Sequence, residues 1–328
     1  MNIPEYIRRF YPNAKTRRQL IIVVKILVAT LAAYLLFIEF DNRSLSTPNF
    51  PKPLSRYHIQ LIILFGLGMV LNFLLDVSLW RQISSSTQHA SMSKAAFHHL
   101  RSITFGIITP YNVGEFGGKA RQFKGAIEQV KAIYLTYVFR FVKMSARNLT
   151  GAIALLWMVY TGKIPEIQTW QAYSILFVAL GIIAMYFQME RIIPLISGIV
   201  VLGRKFFLPL ARITMKPSKK VFWLLLGIAK FFVYPTQFVL ALLFFSSNAE
   251  PTIGLFAMVL IYYSVAAFLP SAQIIDPLVK GAAGILILAR VTDSPEAILL
   301  ATTAVWGFNV AIPAIIGTAL LFVRQKRT

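Results

Sequence analysis

Six stretches of the chain read as full membrane spans, and this limits the fold before any motif is considered. They lie at 20–38, 59–80, 144–161, 173–189, 221–245 and 297–323. A hydrocarbon core of about 30 Å takes about 20 helical residues to cross. Lipid offers no partner to a free backbone amide, so spanning segments are helices or strands of a closed barrel. Barrel strands are shorter and alternate in polarity, and these runs do not. Composition agrees, with 57% hydrophobic and 14% charged residues, against about 25% charged in a soluble domain. The expectation is an all-α polytopic membrane protein with six full transmembrane helices. One membrane domain covers 1–328, with a basic segment at 1–19, a first half at 20–161 and a second half at 173–323.

The first run, 20–38, is longer than the roughly 7–15 residues of a signal-peptide core. Glu39 and Asp41 follow it without a small-residue cleavage pattern, so it is expected to remain as an anchor. The chain has no cysteine, which removes disulfides, thiolate metal sites and cysteine nucleophiles.

The formal charge is +21. On a soluble protein this would point to nucleic acid. Here the bases gather in alternate connections: 1–19, 81–131, 190–220 and the tail with Arg324, Lys326 and Arg327. The other connections hold Glu39, Asp41, Glu166, Glu250, Asp293 and Glu296. The positive-inside rule then places both termini in the cytoplasm of a cell (inner) membrane, with no nucleic-acid partner. The basic face would also attract anionic headgroups, although orientation alone accounts for such a bias. Residues 190–216 alternate apolar pairs with Arg204, Lys205 and Arg212, as an in-plane amphipathic segment does.

Two segments do not fit as simple spans. In 97–127, arms of about 13 residues flank Pro110, and each would reach about 20 Å, too little to cross. Pro110 removes a backbone donor and disfavours helix at Thr109. Asn112 and Gly114 are turn formers. Basic flanks on both sides imply a helical hairpin that enters from the cytoplasm and returns. In 253–290, Pro270 divides a similar segment whose flanks lean acidic, implying insertion from the opposite face. Each proline precedes an acid with a base four residues on: Glu115 and Lys119, then Asp276 and Lys280. That spacing sets acid and base on one helical face. The shared layout is that of an inverted repeat with two opposed re-entrant hairpins meeting near the midplane; chance is the competing explanation. If they meet, Glu115 should approach Lys280, and Asp276 should approach Lys119.

Charges also fall inside the spans. Arg140, Lys143 and Arg147 recur at i, i+3 and i+7, as one stripe. Lys230 lies mid-span before Tyr234-Pro235, a kink signal, and Asp76 lies near the end of the second span. Bases outnumber acids at this depth, so an anionic ligand is expected to complete the balance, and arginine's planar fork suits phosphate. A cytoplasmic turn with snorkelling side chains is the alternative. His98 and His99 are adjacent and cannot share a helical face, so no metal site is expected. Gly114-x-x-x-Gly118 offers a weak close-packing signal. No Walker loop, catalytic triad or free carboxylate pair is present, and no cofactor is implied.

At these residues the chain resembles the lysylphosphatidylglycerol synthase/flippase transmembrane family. Thr109-Pro110, Gly114-Glu115 and Gly117-Gly118-Lys119 with Arg121 resemble its first signature. Leu269-Pro270 with Asp276 and Lys280-Gly281 resemble its second, and Trp306-Gly307-Phe308-Asn309 with Pro313 and Gly317 its closing span. Two departures are plain. Residues 271–275 lack the glycines usual in the second signature, and the soluble aminoacyl-transfer domain is not expected within residues 1–328. The resemblance implies a lipid translocase acting on an anionic phospholipid or polyprenyl phosphate. Arg121, Arg140, Lys143 and Arg147 are expected at the headgroup, with Glu115, Lys119, Asp276 and Lys280 joining or switching the hairpins. A membrane-embedded enzyme, a scaffold for one, and an anion-selective or ion-coupled transporter are the alternatives.

Overall fold

The computed structural model describes residues 54–322, apart from 88, 108, 110–111, 193–214, 247, 270, 272, 290 and 293. The expected first span at 20–38, most of the in-plane segment, and the hairpin prolines Pro110 and Pro270 lie outside the described residues. Those described are helical, with no strand among them.

The helices, numbered within this range, are α1 (Arg56–Ser84), α2 (Met92–Ile107), α3 (Val113–Ala120), α4 (Ala126–Tyr160) and α5 (Thr169–Phe187). After them come α6 (Pro217–Phe245), α7 (Ile253–Ala266), α8 (Asp276–Leu288), α9 (Pro295–Trp306) and α10 (Ile312–Phe322). A π-helical turn, Gly307–Ala311, joins α9 to α10. Four helices are long and apolar enough to cross a membrane: α1, α5, α6 and the continuous run Pro295–Phe322. The described residues are therefore those of a helical membrane protein. The expected span at 144–161 is the C-terminal half of the 35-residue α4, whose N-terminal half carries the basic stripe.

Local chemistry sets the helix ends. Ser55 caps α1 in a reciprocal box with His58, which satisfies two otherwise orphan amides. Thr252 and Ser294 accept the amides of Leu255 and Ala297. Pro217 and Pro295 occupy first-turn positions, where no amide donor is needed. Helix α6 continues through Pro235.

Helices α2 and α3 fold back on each other as a tight antiparallel pair. Thr109 makes the turn: its hydroxyl donates to the carbonyl of Phe105 and accepts the amide of Gly114 at 2.7 Å. Asn112 takes the left-handed conformation, φ 55°, which asparagine tolerates better than most residues. A Cβ on Gly114 would sit 1.8 Å from the Phe105 carbonyl oxygen, and one on Gly118 would sit 2.9 Å from Ser102 Cα. The Gly-x-x-x-Gly spacing is thus what lets the two backbones meet. The returning arm is shorter than expected: it ends at Ala120, and the chain turns again before Gly125.

Along the chain, a long helix is twice followed by a pair of shorter ones. Helices α1 and α6 each have 29 residues, begin 161 positions apart and pack along each other. Pair α2–α3 follows α1 in the chain, and pair α7–α8 follows α6. Helix α4 packs on α7, and α10 packs on α2. The two contacts share their chemistry. Ser264 on α7 donates to the Arg147 carbonyl at 3.0 Å and faces Gly151. Thr104 on α2 donates to the Ala314 carbonyl at 3.2 Å and faces Gly317. The apolar core forms two clusters, one around Phe238, Tyr262 and Leu288 and one around Trp80, Leu135 and Trp223.

Candidate functional site

Helices α4 and α6 and the two shorter helix pairs border a cavity of about 480 Å³. Helix α4 supplies Arg140, Lys143 and Arg147 to its wall, α6 supplies Lys230 and Tyr234, and the two helix pairs supply Glu115, Asp276 and Lys280. A smaller cavity of about 120 Å³ adjoins it and shares Asn112, Glu115, Lys143, Lys230, Tyr234 and Gln273.

The ion pairs close within α3 and within α8 rather than between the two. Lys119 Nζ lies 2.7 Å from Glu115 Oε1, and Lys280 pairs with Asp276. Ser271 Oγ donates to the same Asp276 carboxylate. Glu115, Asp276 and Lys280 border one cavity. Lys119 is buried in the core away from Asp276, and Glu115 is engaged by Lys119 and Arg140, so neither cross-pair forms. The Lys119 ammonium lies 3.7 Å from the Phe139 ring centroid and 4.1 Å from that of Trp80. Desolvated cation–π contacts of this kind contribute about 2 kcal/mol. Glu115 completes its set with Arg140, whose guanidinium lies 2.8 Å from Oε2 and also donates to the Asn112 carbonyl at 2.6 Å.

Asp76 is a second hub, which sequence reading left without partners. It lies 3.0 Å from Lys230, 3.4 Å from Lys143 and 3.9 Å from His99 Nε2. One carboxylate thereby ties α1 to α2, α4 and α6. Lys143 also sits 3.9 Å from the Phe139 centroid.

The basic stripe behaves unevenly. Arg140 and Lys143 are engaged by acids, whereas no carboxylate lies within 4 Å of Arg147 among the described residues, and its Nε is buried without an acceptor. Arg121 is elsewhere. It caps the C-terminus of α3, is exposed, and stacks 5.8 Å from the Phe105 ring.

A buried amide ladder borders the smaller cavity. Asn72 donates to Asn309 at 2.7 Å, Asn309 to Gln237 at 3.1 Å, and Gln237 to the Phe65 carbonyl at 3.1 Å. Asn309 sits in the π-helical turn, a feature frequent at functional sites. Trp306, one turn earlier, donates to the Gln273 carbonyl at 2.7 Å. These amides were legible as polar residues inside apolar spans, a functional signal in membrane helices, but their mutual pairing was not. Among the described residues no group of three or more His, Asp or Glu gathers as a metal site would require.

The chemistry available is anion binding. The large cavity presents five bases and two acids, and Asp76, Glu115 and Asp276 are each held by at least one base. No protein-family model and no curated protein matches the chain.

Proposed function

We propose that the protein binds an anionic lipid by its headgroup in this cavity and moves it between leaflets of the cell membrane. In this reading it belongs with the flippase-like lysylphosphatidylglycerol synthase transmembrane proteins whose motifs it carries. It has six full spans, the first within 20–38, and both termini are cytoplasmic. The pairs α2–α3 and α7–α8 are re-entrant hairpins inserted from opposite faces, and the repeated element order, with its paired Ser264–Arg147 and Thr104–Ala314 contacts, supports an inverted repeat.

The observation that carries the reading is the basic cavity bordered by residues of both hairpins. Irregular backbone at membrane depth is tolerated where it lines such a cavity, and binding at a repeat interface is how many transporters work. An enzyme reading is less favoured, because a general base needs a carboxylate free to take a proton.

Lipid retained by the purified protein tests this directly. Mass spectrometry of extracted lipid should find an anionic species enriched over its bulk abundance, and depleted in the Lys143→Gln, Arg147→Gln double variant. Bulk-like lipid composition in the wild type would overturn the proposal.

A further inference from the structure

The geometry points to a terminal phosphate, a phosphomonoester or diphosphate on an apolar chain, as the group this cavity takes. This rests on the lipid-binding reading above and narrows its substrate class.

The first argument is charge. Arg140, Lys143, Arg147, Lys230 and Lys280 border the cavity against Glu115 and Asp276. Behind its wall Asp76 adds one negative charge and Lys119 one positive, so three positive charges remain in surplus. A phosphodiester headgroup such as phosphatidylglycerol brings one negative charge. A phosphomonoester brings about 1.5–2 near neutral pH, with its second ionisation near about 6, and a diphosphate brings more.

The second argument is donor geometry. Arg147 offers a guanidinium with a buried, unpaired Nε on the cavity side of α4. Arginine's fork matches the oxygens of a phosphate. Lys143 and Lys230 share one carboxylate, Asp76, although each ammonium carries three donors. A terminal phosphate has three oxygens to accept from such a set, where a diester has two.

The third argument concerns the chain that follows the phosphate. Lining residues alternate in sequence with exposed apolar ones: Phe268 (66% exposed) between Ala267 and Leu269, Ile274 (57%) after Gln273, and Val113 (58%) after Asn112. A hydrocarbon tail leaving the cavity beside these lining residues would meet exposed apolar side chains and could pass into lipid.

The test uses the full chain in detergent micelles, titrated with short-chain phosphatidic acid, short-chain phosphatidylglycerol, or inorganic phosphate. Dissociation constants are measured at about pH 5 and about pH 7.5, either side of the second phosphate ionisation. Phosphatidic acid should bind about tenfold tighter at the higher pH, an easily resolved shift. Phosphatidylglycerol should bind more weakly and change little. It serves as the control for titration of the cavity's own groups and of His99 behind it. Inorganic phosphate should bind more weakly than phosphatidic acid. Arg147→Gln should remove most of the pH-dependent gain, and Arg147→Lys should keep part of it, with monodisperse elution confirming that both fold. Equal, pH-independent binding of the two lipids would overturn the terminal-phosphate assignment while leaving lipid binding intact. Inorganic phosphate binding as tightly as phosphatidic acid would show a soluble-anion site instead. Failure of all three ligands to bind would overturn both the inference and the reading beneath it.

Discussion

Asp76 in the C-terminal third of α1 and Lys230 midway along α6 meet at 3.0 Å, on two helices of equal length that pack against each other. Lys143 reaches the same carboxylate from α4. Removing the acid leaves two partly buried ammonium groups facing each other. Loss of one partner of a buried pair costs about 3–5 kcal/mol, so Asp76→Asn should destabilise the protein by that order. Asp76→Asn combined with Lys230→Met should cost less than the sum of the two. Unfolding in mixed micelles measures both, and strict additivity would mean that the contact contributes nothing to stability.

The hairpin charges give a second cycle. Glu115 pairs with Lys119 rather than with Lys280, so Glu115→Gln and Lys119→Met should be strongly non-additive. Glu115→Gln and Lys280→Gln should add within about 0.5 kcal/mol if they share no partner. The reverse pattern would mean that the hairpin charges exchange partners in the resting protein.

Gly114 and Gly117 provide a matched pair. A methyl group at Gly114 would meet the Phe105 carbonyl at 1.8 Å, while one at Gly117 meets nothing within 4 Å. Gly114→Ala should prevent α2 and α3 from closing and abolish folded yield. Gly117→Ala should be neutral or slightly stabilising, since alanine is the better helix former. Similar yields of the two variants, read by size-exclusion chromatography, would contradict the close approach.

Much of this was readable in the sequence, and the limits were physical. The α1, α5, α6 and Pro295–Phe322 helices announce themselves by apolar length, and the acid-x-x-x-base spacing anticipates the Glu115–Lys119 and Asp276–Lys280 pairs because both lie within one helix. The Asp76 hub was not readable, because its partners come from three other helices and no local spacing relates them. Lys119 and Arg121 show the same limit. Both are bases near the end of α3, two positions apart, yet one is fully buried under Trp80 and Phe139 while the other is exposed.

Topology has a clean assay, because the chain contains no cysteine. Single cysteines at Asn112 and Gln273 should resist membrane-impermeant thiol reagent from the face opposite each hairpin's insertion. Ready labelling of position 112 from outside the cell would show that 92–120 crosses the membrane, and the opposed-hairpin arrangement would fail.

Lipid movement itself decides the central claim. Proteoliposomes carrying the purified protein and a fluorescent anionic lipid are treated with a membrane-impermeant quencher, and the fraction quenched over time reports exchange between leaflets. The wild type should expose lipid from the inner leaflet well above the rate of empty vesicles. The Lys143→Gln, Arg147→Gln double variant should fall to that background while remaining folded. Wild-type exchange no faster than empty vesicles, or equal exchange by the double variant, would contradict the account.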